Sequence, residues 1–264
     1  MSFSNLIRYV EKESVIHSLD PRVKFLYVIS IVFSISFLFK IEFIIPVTLL
    51  SLVIYALAKI PFREVKNTWK FILIVIIVLS FLNLLFLSIL HPKEGKTIIE
   101  IVGVKITQEA IYSALLPTIK LLTVAIATIT LIFTTHPSLY APAIAKLGVP
   151  YKIAYVVDLA LRYIPVFLKD METTLYAQMA RGYRPKGGKN PLGRILSVVP
   201  LIIPVSISAT LSIYDIADAM ELRAFGSKPC HTWYRELKLR KQDFLLMTLV
   251  IVIIFYTFTI IKLA

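Results

Sequence analysis

The sequence predicts an all-α polytopic membrane protein with about five transmembrane helices and long amphipathic coupling helices on its cytoplasmic side. Three observations carry that prediction. The 264 residues are 58% hydrophobic and only 17% charged, with a mean hydropathy of +0.80, far from the balance of a water-soluble globular domain. The apolar residues gather in runs of roughly membrane length. Lys and Arg, which give a net charge of +13, lie between those runs and not in one separate domain. Such charge reads as the positive-inside signal of a membrane protein, and no nucleic acid is expected as a partner.

The elements follow in chain order. The first apolar run starts only after 22 polar-rich residues and lacks a small-residue cleavage site, so no removable signal peptide is expected. Ser18 or Asp20 can cap a helix that begins at Pro21, because a missing N–H is harmless in a first turn. Phe25–Phe39 is then the first apolar helix, Lys40-Ile41-Glu42 a tight polar turn, and Phe43–Ala58 the return. Both spans are short for a bilayer that needs about 20 residues, so their ends borrow flanking residues. Phe71–Leu90 is the cleanest span, and 91–109, with three lysines against three glutamates, has the pattern of an outside loop. Ala110–Thr135 is a fourth span, broken by Pro117 and Lys120. A lysine at that depth costs about 2.5–3.5 kcal/mol on insertion scales, so Lys120 must face protein or water, or snorkel. It reads as structural in preference to substrate-contacting.

From His136 to Arg194 the chain carries nine Lys or Arg against three acids. Tyr151–Gly182 reads as a helix with a kink at Pro165. Ile164, Phe167, Leu168, Met171, Leu175 and Met179 recur on one face, and Lys169, Asp170, Thr173, Thr174 and Gln178 on the other. Such a helix lies along an interface more than it crosses a bilayer. Ile195–Ala217 is apolar enough to span, yet both its flanks are basic, so it is expected to be a tilted or re-entrant helix running on into the following motif. Leu245–Ile261 is the last span. With five crossings and a cytoplasmic N-terminus, segments 1–24, 59–70, 136–194 and 218–243 place 23 of the 29 Lys and Arg inside, and the reversed orientation inverts that ratio. The chain thus divides into a membrane region of four spans (1–135), a cytoplasmic-side coupling region (136–243) and a final transmembrane helix (244–264).

Two stretches of the coupling region repeat each other. Ala177 to Tyr183 and Ala219 to Phe225 both read alanine, three residues, arginine, small residue, aromatic. This is an internal repeat of a helix ending. Ala177, Ala180 and Arg181 share a face by i, i+3, i+4 spacing, as Ala219 and Arg223 do by i, i+4. On one reading these are positive-inside arginines facing lipid phosphates. On the other, Ala180, Arg181 and Gly182, and Leu222, Arg223 and Ala224, form two tips for a partner's clefts. Small neighbours then allow close approach and the guanidinium reaches a carboxylate or carbonyl, with Ala177, Ala219 and Glu221 in support.

Catalytic chemistry is not legible. His17, His91, His136 and His231 lie in separate polar segments without metal-ligand spacing, and Cys230 stands alone, which excludes an intrachain disulfide. Gly187-Gly188-Lys189-Asn190 lacks the first glycine and the hydroxyl of a phosphate-binding loop. No cofactor, no metal and no enzymatic activity are expected. An intramembrane lipid-modifying enzyme would need a polar constellation at membrane depth, where only Lys120 is found. A self-sufficient secondary transporter would want inverted repeats with broken helices. Pro46, Pro117, Pro200 and Pro204 can break helices, but no matching halves are visible.

The two arginine motifs resemble the paired motifs of the transmembrane (T) component of energy-coupling factor transporters, which includes the cobalt-transport permease branch. His17 to Lys24 is similar to that family's N-terminal signature, and Leu161-Arg162-Tyr163-Ile164-Pro165 to the segment leading into its first motif, so the resemblance runs from about residue 15 to residue 226. Leu222 and Ala224 depart from the alanine and glycine common there. The resemblance implies an energy-coupling subunit of an ABC-type uptake transporter for a vitamin or transition-metal ion, in the cell membrane. Two cytoplasmic ABC ATPase subunits would supply hydrolysis and a small membrane protein would bind the substrate. Arg181 and Arg223 would then be the tips of two coupling helices, one in the groove of each ATPase subunit.

Overall fold

The computed structural model describes residues 14–90, 97–101, 104–183, 191–227, 233, 237 and 239–263. They form eight α-helices, a 3-10 turn and one short β-hairpin, an all-α membrane architecture as expected. The helices are α1 (Pro21–Phe37), α2 (Ile41–Leu57), α3 (Phe62–Leu90), α4 (Gln108–Thr134), α5 (Tyr140–Lys146), α6 (Tyr151–Ala180), α7 (Pro191–Leu222) and α8 (Lys241–Leu263). The chain divides into two compact units, one of Arg8–His136 with Leu237–Ala264 and one built on Pro137–Glu236.

In the first unit α4 packs on α1, α2 and α3, and α8 packs on α1. The core is aliphatic, with Ile31, Leu38 and Ile44 fully buried among Ile54, Ala127, Val250 and Ile253. Lipid is as apolar as leucine, so apolar burial alone does not hold such helices together, and small polar side chains bridge them. Ser34 of α1 meets Thr257 of α8 and Thr48 of α2 meets Thr123 of α4, each at 2.7 Å, and Trp69 Nε1 donates to the Tyr55 hydroxyl at 3.0 Å. The lipid-facing side is equally visible: Phe71, Ile77 and Phe81 of α3 are exposed, as a span requires.

Among the described residues four helices are long and apolar enough to cross a membrane: α3, α4, α7 and α8. At 17 residues each, α1 and α2 are about 25 Å long, and their shortness follows the short apolar runs in the sequence. Helix α3 runs back through the basic stretch to Phe62, a longer helix than the apolar run marked out. Helix α4 continues through Pro117 without a break. A proline removes one donor and strains one turn, which a helix packed on three neighbours absorbs. Its Lys120 lies 5.1 Å from the centroid of the Phe39 ring, so the charge at membrane depth faces protein through a cation–π contact. The stretch read as an outside loop contains an antiparallel hairpin, β1 (Thr97–Ile101) with β2 (Val104–Thr107). The apolar–polar alternation of Ile99-Glu100-Ile101 and of Val104-Lys105-Ile106-Thr107 carries that signal at a length too short to stand out.

Asp20, not Ser18, caps α1: its carboxylate accepts from Arg22 N–H at 2.9 Å and pairs with the Arg22 guanidinium at 2.7 Å. The same turn is tied to α8 across 223 positions. Asp20 N–H donates to Asp243 Oδ1 at 2.7 Å, while Asp243 Oδ2 accepts from Arg240 N–H at the start of α8. Lys24, buried in the next turn, donates to the Thr134 carbonyl at 3.0 Å and to the His17 carbonyl at 3.5 Å. The His17 to Lys24 signature is therefore a polar knot joining α1 to the start of α8 and the end of α4.

Candidate functional site: two arginine-tipped helix ends

The second unit is organised by α6 and α7, which pack on each other, with α5 against the beginning of α6. Both long helices run through their prolines, Pro165 in α6 and Pro200 and Pro204 in α7. Helix α7 is continuous from Pro191 to Leu222 and reaches the second motif without interruption. Phe225, just beyond its end, lies 4.5 Å from the Tyr155 ring and 6.0 Å from the Tyr151 ring. The end of α7 thus meets the beginning of α6, and the two helices are antiparallel.

This arrangement sends the two arginine motifs to opposite ends of one hairpin. Tyr155 marks the level of the α7 tip, and Arg181 follows 26 residues later at the far end of α6. At about 1.5 Å per residue, a path of about 40 Å along α6 separates the two levels. Sequence alone gave their spacing as 42 positions and said nothing of this separation.

The local geometry of the two tips is the same. At the first, Arg181 occupies the C-cap, Gly182 follows at φ +88°, its N–H donates to the Met179 carbonyl at 3.0 Å, and Tyr183 N–H donates to the Gln178 carbonyl at 2.9 Å. At the second, Ala224 follows Arg223 at φ +53°, its N–H donates to the Glu221 carbonyl at 2.8 Å, and Phe225 N–H donates to the Met220 carbonyl at 3.0 Å. Both are Schellman endings, in which a left-handed residue lets its own amide and the next close back on the last turn. The repeat of arginine, small residue and aromatic is that ending written twice: arginine at the cap, a left-handed residue after it, and an aromatic whose amide closes the turn. The small residue was read as room for a partner's approach. The structure adds a reason internal to the chain for the glycine, because the left-handed backbone at Gly182 is free of cost only without a Cβ, whereas Ala224 bears that cost. Phe225 is the part that sequence reading left unexplained, and its signal was the shared aromatic position.

Around each tip the side chains face outward. Ala177, Ala180, Arg181 and Gly182 are exposed, as are Ala219, Glu221, Arg223 and Ala224, and Leu222 is 90% exposed. A leucine so bare beside an arginine presents both an apolar and a cationic contact at one helix end. Among the described residues neither Arg181 nor Arg223 enters a salt bridge. The apolar residues behind the tips are also open within the chain: Ile164, Met171 and Met179 on α6, and Ile203, Ile207, Leu211 and Tyr214 on α7. Among the described residues no group of three or more His, Cys, Asp or Glu is placed to hold a metal ion.

A mainly helical membrane unit joined in sequence to a helical hairpin with two matched, exposed arginine ends is the build of a polytopic membrane subunit. The family model described as cobalt transport protein, CbiQ, matches residues 12–233. The chain belongs to this family, the transmembrane T component of energy-coupling factor transporters. It is 28% identical over 264 residues to the energy-coupling factor transporter transmembrane protein EcfT of Staphylococcus aureus, covering 96% of this chain and 95% of that one. It is 30% identical over 251 residues to EcfT of Clostridium kluyveri, covering 90% and 89%, and 32% identical over 244 residues to EcfT of Thermosediminibacter oceani, covering 89% of each.

Proposed function

We propose that this chain is the non-catalytic coupling subunit of an ATP-driven uptake transporter for a vitamin or transition-metal ion, and that its two arginine tips dock on two cytoplasmic ABC ATPase subunits. The observation that carries this reading is the duplicated Schellman ending, with Arg181 and Arg223 exposed at the two ends of one antiparallel helix pair. A single binding site needs one such tip. Two equivalent tips on one bar suit two equivalent partners, one at each end. Ala180, Gly182 and Ala224 leave the partner surface free to approach, Leu222 adds an apolar contact, and each guanidinium seeks a carboxylate or carbonyl in the groove. Ala177, Ala219 and Glu221 shape the last turn behind each tip.

Coupling follows from the stiffness of the bar. When the two ATPase subunits close on ATP, the distance between their grooves changes, and packed helices answer by tilting or shearing as units and not by stretching. The open apolar faces of α6 and α7 would carry that movement to a small membrane subunit that binds the substrate. Residues 136–243 act in this reading as the coupling region, with 1–135 and 244–264 as the membrane anchor and with lipid around its apolar faces. The N-terminus and both tips lie on the cytoplasmic side of the cell membrane, which puts 23 of the 29 Lys and Arg there.

The test is co-purification and uptake with the tips removed one at a time. Arg181→Ala or Arg223→Ala alone weakens assembly with the ATPase subunits, since truncating one member of a buried charge pair costs about 2–5 kcal/mol. The double change abolishes ATP-dependent uptake. Normal uptake by the double variant would sink the proposal.

A further inference from the structure

We propose that the first turns of α3 form a docking surface for anionic phospholipid headgroups, made by Arg63, Lys66 and Lys70 with Lys59 from the turn before them. The three helix residues follow at i, i+3 and i+7, so they share one side of α3 within about 10 Å of rise. The other side is fixed by packing, because Val65 is fully buried in one cluster with Ile129 and Phe133 of α4. The basic side therefore faces away from the bundle, and all four cations are exposed. Lys70 is followed at once by the uncharged apolar run Phe71–Leu90, so the stripe ends where the hydrocarbon begins. Beside it, Trp69 Nε1 donates to the Tyr55 hydroxyl, and amphipathic rings of this kind settle at the membrane surface.

Three features of this stretch work against the chain taken alone. Lys59 sits at φ +49°, a left-handed position that only glycine takes without strain. Arg63 and Lys66 lie in the first turns of a helix, where the helix dipole disfavours cations. Lys66 and Lys70 are like charges four residues apart, which repel each other on a helix face. Among the described residues none of the four cations enters a salt bridge, and Glu64 of the first turn is rotated about 100° around the helix from Arg63. Local rules broken together, with no compensation inside the chain, mark a surface that an outside anion completes. At the edge of the apolar run that anion is the lipid phosphate. The Arg63 guanidinium can take two of its oxygens at once, while Lys66 and Lys70 lay their methylene stems on apolar surface and send their ammonium groups to the headgroups. In the orientation proposed above, this is the cytoplasmic leaflet, which carries the anionic lipids. An acidic protein surface could meet Lys59 and Arg63, but Lys70, adjoining the apolar run, lies at headgroup depth.

Trp69 is one of two tryptophans, so in a Trp233→Phe background its fluorescence reads the lipid beside the stripe. The full chain is reconstituted in vesicles of phosphatidylcholine and phosphatidylglycerol, with bromine on the acyl chains of one lipid or the other. Brominated phosphatidylglycerol is expected to quench Trp69 as if enriched about fivefold for each cation engaged. Changing Arg63, Lys66 and Lys70 together to Gln removes the enrichment and leaves quenching by brominated phosphatidylcholine in place. Raising salt to about 1 M lowers the enrichment with the stripe intact, since exposed charges are screened, and this arm decides the matter if the triple variant does not insert. Equal quenching by the two lipids with the stripe intact overturns the proposal, as does an enrichment that survives the triple change or the salt. A triple variant that keeps its lipid preference but no longer co-purifies with ATPase subunits would make the stripe a protein contact, and overturns it too.

Discussion

Ala224 sits at φ +53° and Gly182 at φ +88°, two left-handed positions at matching places of a repeated helix ending. An L-residue pays about 1–2 kcal/mol in that region, and glycine almost nothing. Ala224→Gly therefore stabilises the α7 ending by about 1 kcal/mol, and Gly182→Ala destabilises the α6 ending by about 1–2 kcal/mol, both readable as opposite shifts of thermal unfolding. If the small residues served a partner's approach alone, neither change would move the Tm of the isolated chain. The arginine positions themselves were legible from the sequence, because a repeat needs no tertiary information. What was not legible is that the residue after each arginine is left-handed, since that geometry marks the sequence only where glycine takes it, as at Gly182.

At the scale of the element, helix starts and ends were read best where a cap or a proline marks them. Pro21 placed the beginning of α1, and Gly182 the end of α6. Asp243 is the opposite case. It opens α8 and also accepts from Asp20 N–H, a link between residues 223 positions apart that no local pattern announces. Asp243→Ala removes the acceptor from both amides and is expected to lower stability by about 1–3 kcal/mol. Asp20→Ala removes the cap and the carboxylate that pairs with Arg22, with a similar loss. The pair should fall short of additivity in thermal unfolding, because the two residues belong to one network. Full additivity would mean that α1 and α8 are capped independently. The hairpin at 97–107 and the continuity of α4 through Pro117 were missed for a related reason: short strands and packed prolines depend on their surroundings, while periodicity reports only the chain itself.

For the whole molecule, the proposed orientation is open to a labelling experiment. In a Cys230→Ser background, Leu222→Cys, at a position 90% exposed, should react with a membrane-impermeant maleimide in inside-out vesicles and stay unlabelled in intact cells. Lys105→Cys, in the loop assigned to the outside, should show the reverse. Labelling of position 222 from outside would overturn the topology. Composition and hydropathy determined by themselves that the chain is a helical membrane protein, because the transfer energies of side chains act residue by residue. The repeat likewise identified both tips and the family they resemble. Only the tertiary structure decided that α6 and α7 run antiparallel with the tips at opposite ends, and that Asp20, Lys24, Thr134 and Asp243 meet in one knot. The physical reason is that contacts between distant residues depend on how helices pack, and one helix face can satisfy its pattern against many neighbours.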